Sequence, residues 1–196
     1  MSFPVHPLDK ALGDISSIRR QVARSTEFRG YGAATLAATG VFAGLAAVAQ
    51  YWVLPHPASH IGNYLRIWVT TAIVSAVLIG VQTMTRTRRI HSGMADEMIL
   101  MAVEQFLPSV GAGALISIVL MRLVPGNIWM LPGLWQITYS LGVFASCRFL
   151  PRPMAAAGAW YLVTGLVCIG LGDTRALSPW TMGLAYGIGQ LIVAAV

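Results

Sequence analysis

The sequence predicts an all-α integral membrane protein, six transmembrane helices in a compact bundle preceded by an amphipathic cytoplasmic helix. Three observations carry that expectation. The 196 residues are 56% hydrophobic and 10% charged, with a mean hydropathy of +0.68, outside the range of a soluble globular domain. Apolar runs of about 20 residues, enough to cross a hydrocarbon core about 30 Å thick, fill most of the chain. Basic residues gather in alternate connections, as in a multi-pass topology.

Residues 1–30 form the N-terminal segment and 31–196 the transmembrane domain. In the first, Leu8, Ala11, Leu12, Ile15, Ile18 and Val22 recur at helical spacing opposite Asp9, Lys10, Asp14, Ser17, Arg20 and Arg24. This amphipathic helix is expected on the inner membrane surface or against its own bundle. Its early charges, and the length of the first apolar run, do not fit a cleaved signal.

The spans run roughly from Ala33 to Leu54, Asn63 to Met84, Glu104 to Val124, Ile128 to Cys147, Met154 to Leu171 and Ser178 to Val196. Arg86, Arg88, Arg89, Arg148 and Arg152 share one side with the basic N-terminal segment, whereas Arg66, Arg122 and Arg175 fall on the other. The positive-inside rule therefore puts both termini in the cytoplasm. A pI of about 9.9 reads as topology and attraction to anionic lipid, not as direct nucleic-acid binding. Cys147 and Cys168 fall toward opposite membrane faces, and no disulfide is expected.

Small residues four apart mark helix-packing faces: Gly40 and Gly44 in the first span, Ser109, Gly113 and Ser117 in the third, Gly183 and Gly187 in the sixth. The Gly40, Gly44, Gly183 and Gly187 faces could serve the bundle itself, a protein partner or a homo-oligomer. Six tryptophans, with Tyr51, Tyr64 and Tyr161, fall largely toward span ends and read as an aromatic belt. Gln50, Gln82, Gln136 and Gln190 are placed to bond across helices.

Chemistry is sparse. No phosphate loop, HExxH, CxxC or GxSxG is present, so no catalytic residue is assigned, no cofactor is expected, and a membrane enzyme is the third reading. His56 and His60 stand four apart in "HPASH", but Pro55 and Pro57 argue for a loop and no acid or thiol completes a metal set. Arg66 and Arg122 lie close enough to span ends to extend their heads to the interface. Glu104, beside Gln105, reads as an interfacial acid at a helix N-terminus, where the macrodipole favours negative charge. Pro108 and Pro132 fall near the starts of the third and fourth spans, where broken helices could surround a transport site near Glu104, and Gln136 is a further polar candidate.

Several stretches together resemble a family of small six-helix bacterial membrane proteins. These are "VARSTEFRGYGAATLAATGVFAGLAA", "LPSVGAGALISIVLM", "LPGLWQITYSLGVFASCRF" and "AAGAWYLVTGL". The shared features are Arg24 to Phe28 before the first span, Pro108 with Gly111 and Gly113 in the third, and Pro132, Tyr139, Ala145, Ser146 and Arg148 in the fourth. Ser140 departs from the glycine usual there. The family has no assigned activity and is commonly encoded beside a winged-helix DNA-binding regulator. The resemblance implies a bacterial inner-membrane location and a regulatory or sensory pairing with such a regulator. The expectation is a non-catalytic sensor or accessory subunit, with a small transporter or channel as the alternative.

Overall fold

A computed structural model describes residues 33–90, 93–147 and 153–195. Among these the chain is all helical, with six α-helices and no strand. They are α1 (Ala33–Val53), α2 (Ile61–Ile90), α3 (Gly93–Leu123), α4 (Leu131–Ser146), α5 (Met154–Gly170) and α6 (Pro179–Ala195). Short 3₁₀ turns, Pro57–His60, Pro125–Met130 and Thr174–Leu177, precede α2, α4 and α6. The amphipathic segment expected within residues 1–30 lies outside the described residues.

Local chemistry sets the boundaries. The last bond of α1 runs from Leu54 N–H to Gln50 O (2.8 Å), and Pro55 then offers no N–H to continue it. Pro132 sits in the first turn of α4 and Pro179 opens α6, positions where a missing N–H costs nothing. Past the end of α5, Gly172 takes a left-handed φ of 73°.

Three segments are long and apolar enough to cross a membrane: Ala33–Val53, Pro57–Gln82 and Val103–Leu123. Helices α4, α5 and α6 have only 16 or 17 residues, about 24–26 Å, so length and composition do not establish six crossings. The fourth helix starts at Leu131 instead of Ile128, because Pro125–Met130 closes as a 3₁₀ turn. Conversely, α2 and α3 run past their apolar stretches, to Ile90 and from Gly93.

The helices pack in a row: α2 on α1, α1 along α6, α6 on α5, α5 on α4 and α4 on α3. The end members are the least covered, with 11% of the apolar segment buried for α2 and 17% for α3, against 39% for α1. Glycine allows the tightest approaches. A Cβ on Gly133 would stand 2.7 Å from Gly165 O, and one on Gly183 would stand 2.5 Å from Ala47 Cβ. Gly40 and Gly187 face one another across the same α1–α6 seam, which therefore uses three of the four glycines offered above for a partner face. Gly44 has no neighbour there within 4 Å.

Candidate functional site

Two polar regions stand out, joined end to end. The first is a cleft of about 760 Å³ at the end of the bundle where α1 stops and α6 begins. Tyr51, Trp52 and Leu54 line it from α1, His56 and Ser59 from the following connection, and Arg175, Ser178 and Trp180 from the start of α6. Tyr51 meets Trp52 edge-on with centroids 5.5 Å apart, and Trp180 lies 6.5 Å from Tyr51. All three rings are exposed, as belt residues would be.

A local turn fixes Arg175. Its Nε donates to both Asp173 carboxylate oxygens (2.9 and 2.8 Å), its backbone N–H donates to Oδ1 (2.8 Å), and Nη2 donates to Leu171 O (3.1 Å). The side-chain hydrogen bond from Arg175, then the backbone one, hold the Asp173 carboxyl below its usual range. His56 lines the cleft whereas His60 does not, so the two histidines do not share that site. No cluster of three His, Cys, Asp or Glu occurs among the described residues.

The second region begins under the cleft floor and continues into the bundle. Leu54, part of that floor, belongs to a buried cluster with Tyr64, Trp68, Leu177 and Met182. Fully buried Gln50 ties it together: its Nε2 donates to Leu177 O (2.8 Å) and its Oε1 accepts from Trp68 Nε1 (2.7 Å). One amide thus joins α1, α2 and the turn leading into α6. Gln136 on α4 donates to Thr181 O on α6 (3.1 Å). Farther in, Tyr139, Tyr161 and Tyr186 meet edge-on or tilted from α4, α5 and α6 at centroid distances of 4.7–5.5 Å, and Phe106 of α3 adds an edge. Gln190 Nε2 reaches the Tyr139 hydroxyl at 3.4 Å.

This interior carries no charge among the buried polar residues described; they are amides and hydroxyls. Four of its buried atoms, Tyr64 Oη, Tyr161 Oη, Gln136 Oε1 and Gln190 Oε1, have no hydrogen-bond partner among the described residues. Its chemistry is that of a neutral polar lock on helix register, without a group able to take up a proton near neutral pH.

The residues singled out in the sequence fall differently. Gln136 is buried in the interior just described, while Gln105, Arg66 and Arg122 are exposed and Gln82 makes no side-chain bond among the described residues. Glu104 is exposed, but eleven residues after Gly93 it is no N-terminal acid, which corrects the expectation; in the sequence the apolar run Met98 to Val103 precedes it. Pro108 lies inside α3, so the Glu104 carbonyl lacks its helical N–H partner, whereas Pro132 breaks nothing. The belt reading also needs correction, because Tyr64, Trp68 and Tyr161 are buried. Trp135 and Trp160 are half-buried, donating to Ser117 Oγ (2.8 Å) and Ala185 O (2.8 Å). Reasoning from sequence missed the pairing of Gln50 with Trp68 and the convergence of tyrosines from three helices; the glutamines inside apolar runs were the available signal.

No family model, curated protein or solved structure matches the chain.

Proposed function

We propose that the chain is a non-catalytic, multi-pass inner-membrane protein that works as a sensor or accessory subunit of a membrane or regulatory assembly. The observation that carries this reading is the continuity between cleft and interior. Gln50 bonds the carbonyl of Leu177, immediately before the cleft residue Ser178, and its other end holds Trp68 of α2. Occupation of the cleft would press on the turn that enters α6, and the α1–α6 seam would carry the displacement along the bundle. The neutral interior supports signalling by packing over catalysis.

Six crossings are part of the proposal. Short α4, α5 and α6 pack in the same row as the long α1 and α3, which favours a common membrane depth, with local thinning or tilting taking up the mismatch. The basic connections then put both termini in the cytoplasm, where a DNA-binding regulator is the partner that the family resemblance suggests. Cross-linking in native membranes, followed by purification in mild detergent, tests the reading: a defined protein partner is expected, and a stable lone monomer would count against it.

A small transporter or channel is the second reading, favoured by Pro108. The Glu104 carbonyl, without a helical partner, stands on the same turn as the Glu104 side chain, a combination that can attract a cation. Proteoliposome flux abolished by Glu104→Gln would promote this reading, and absent or unaltered flux would remove it.

A further inference from the structure

A second groove, of about 520 Å³, runs between α1 and α2 on the flank of the bundle. Its α1 wall is Phe42, Leu45, Ala46 and Ala49, a strip at helical spacing in which two alanines leave space where larger side chains would fill it. The α2 wall carries Arg66, Ile67, Thr70, Thr71 and Val74. Polarity is confined to one end. Arg66 and Thr70 lie one turn apart near the start of α2, the end shared with the cleft, whereas the groove beyond them is lined by Val74, Leu45 and Phe42. The Thr71 hydroxyl is already committed to Ile67 O (2.8 Å), and Arg66 has no ion pair among the described residues.

An unpaired guanidinium at the mouth of an apolar trough is complementary to an anionic head on a hydrocarbon tail. Guanidinium matches phosphate oxygens in a planar fork, and its stem can lie along lipid while its head reaches the interface. We infer that the α1–α2 groove binds one anionic phospholipid of the outward-facing leaflet, with its phosphate on Arg66 and an acyl chain along Ala49, Ala46 and Val74. The inference rests on the reading that α1 and α2 cross the membrane. A second copy of the chain would have to bring a carboxylate to the depth of Arg66, which is costly in lipid.

The test is lipid retention, read by native mass spectrometry after equilibration of the full chain with equimolar phosphatidylglycerol and phosphatidylcholine. Wild type is expected to keep a single phosphatidylglycerol, and Arg66→Gln to lose that preference by about tenfold, the equivalent of one charge-assisted contact. Ala49→Phe, at an exposed position, is expected to block both lipids. Both variants should keep the wild-type melting midpoint. Retention unchanged in both variants, displacement of the lipid by glycerol phosphate alone, or a dimer mass lost in Ala49→Phe would each overturn the inference. Release of the chain from membranes by alkaline carbonate would sink the membrane reading itself; an integral chain that retains no phosphatidylglycerol sinks only the lipid site.

Discussion

At the residue scale, the most exacting positions are those where one atom decides a contact. A methyl group on Gly133 would collide with the backbone of Gly165 and with Ile169, so Gly133→Ala should separate α4 from α5 and destabilise the protein by about 1–3 kcal/mol. Gly44→Ala meets nothing within 4 Å and should be neutral or stabilising by up to about 1 kcal/mol. Melting midpoints of the two variants in one detergent make the comparison. Gln50→Leu strands Trp68 Nε1 and the Leu177 carbonyl together and should cost about 1–3 kcal/mol for each, with a shift in tryptophan emission as its signature. Asp173 offers a pH test. Its carboxyl is held below the usual range by Arg175, so the stabilisation it gives its turn is complete above the unfolded value of about 3.9 and is lost as pH falls through the lower folded value. A carboxyl-carbon NMR titration should show the depressed midpoint, and Arg175→Gln, which keeps the backbone N–H donor of residue 175, should raise it toward the ordinary range.

At the scale of elements, hydropathy locates membrane and helix by different rules, and the chain shows where they part. Charged and polar residues end an apolar run without ending a helix: α2 continues through Arg86, Arg88 and Arg89 to Ile90, and α3 is already helical at Gly93, well before Glu104. The opposite error arises at Ile128, Trp129 and Met130, which are apolar enough to read as span yet close as a 3₁₀ turn. Small-residue spacing marked packing faces on the first and sixth spans but neither paired them nor said which glycines a seam would use, because Gly44 and Gly40 look alike in sequence and only Gly40 meets a neighbour. The interior was the least legible part. A tyrosine near the end of an apolar run scores the same whether it faces lipid headgroups or, like Tyr64 and Tyr161, the bundle axis. Helix α3 carries its own prediction. Pro108→Ala restores an N–H to the Glu104 carbonyl, so that turn should gain hydrogen-exchange protection; unchanged protection would mean that the carbonyl already has another donor.

At the scale of the whole molecule, the row of helices makes topology a question with a sharp answer. If all six cross, the connections at Ser59, Gly126 and Thr174 share one side and Ser92 faces the other, with the basic N-terminal segment. If only the three long segments cross, the chain after α3 stays on the side of Gly126, so Thr174 still shares a side with Ser59, but the α4–α5 connection at Pro153 joins them there instead of facing the cytoplasm with Ser92. Single cysteines at these four positions and at Pro153, in a background with Cys147 and Cys168 replaced, distinguish the two cases with an impermeant maleimide on intact cells. Labelling of positions 59, 126 and 174 with positions 92 and 153 protected is the expected pattern. The depth of packing favours it: α6 lies along α1 and α4 along α3, so a surface-lying α4–α6 unit would have to draw α1 and α3 out of the bilayer with it. Labelling of position 153 together with position 126 would therefore refute the six-span arrangement, and labelling of position 59 without position 174 would mean that the cleft, which takes residues from both connections, could not form on one face of the membrane.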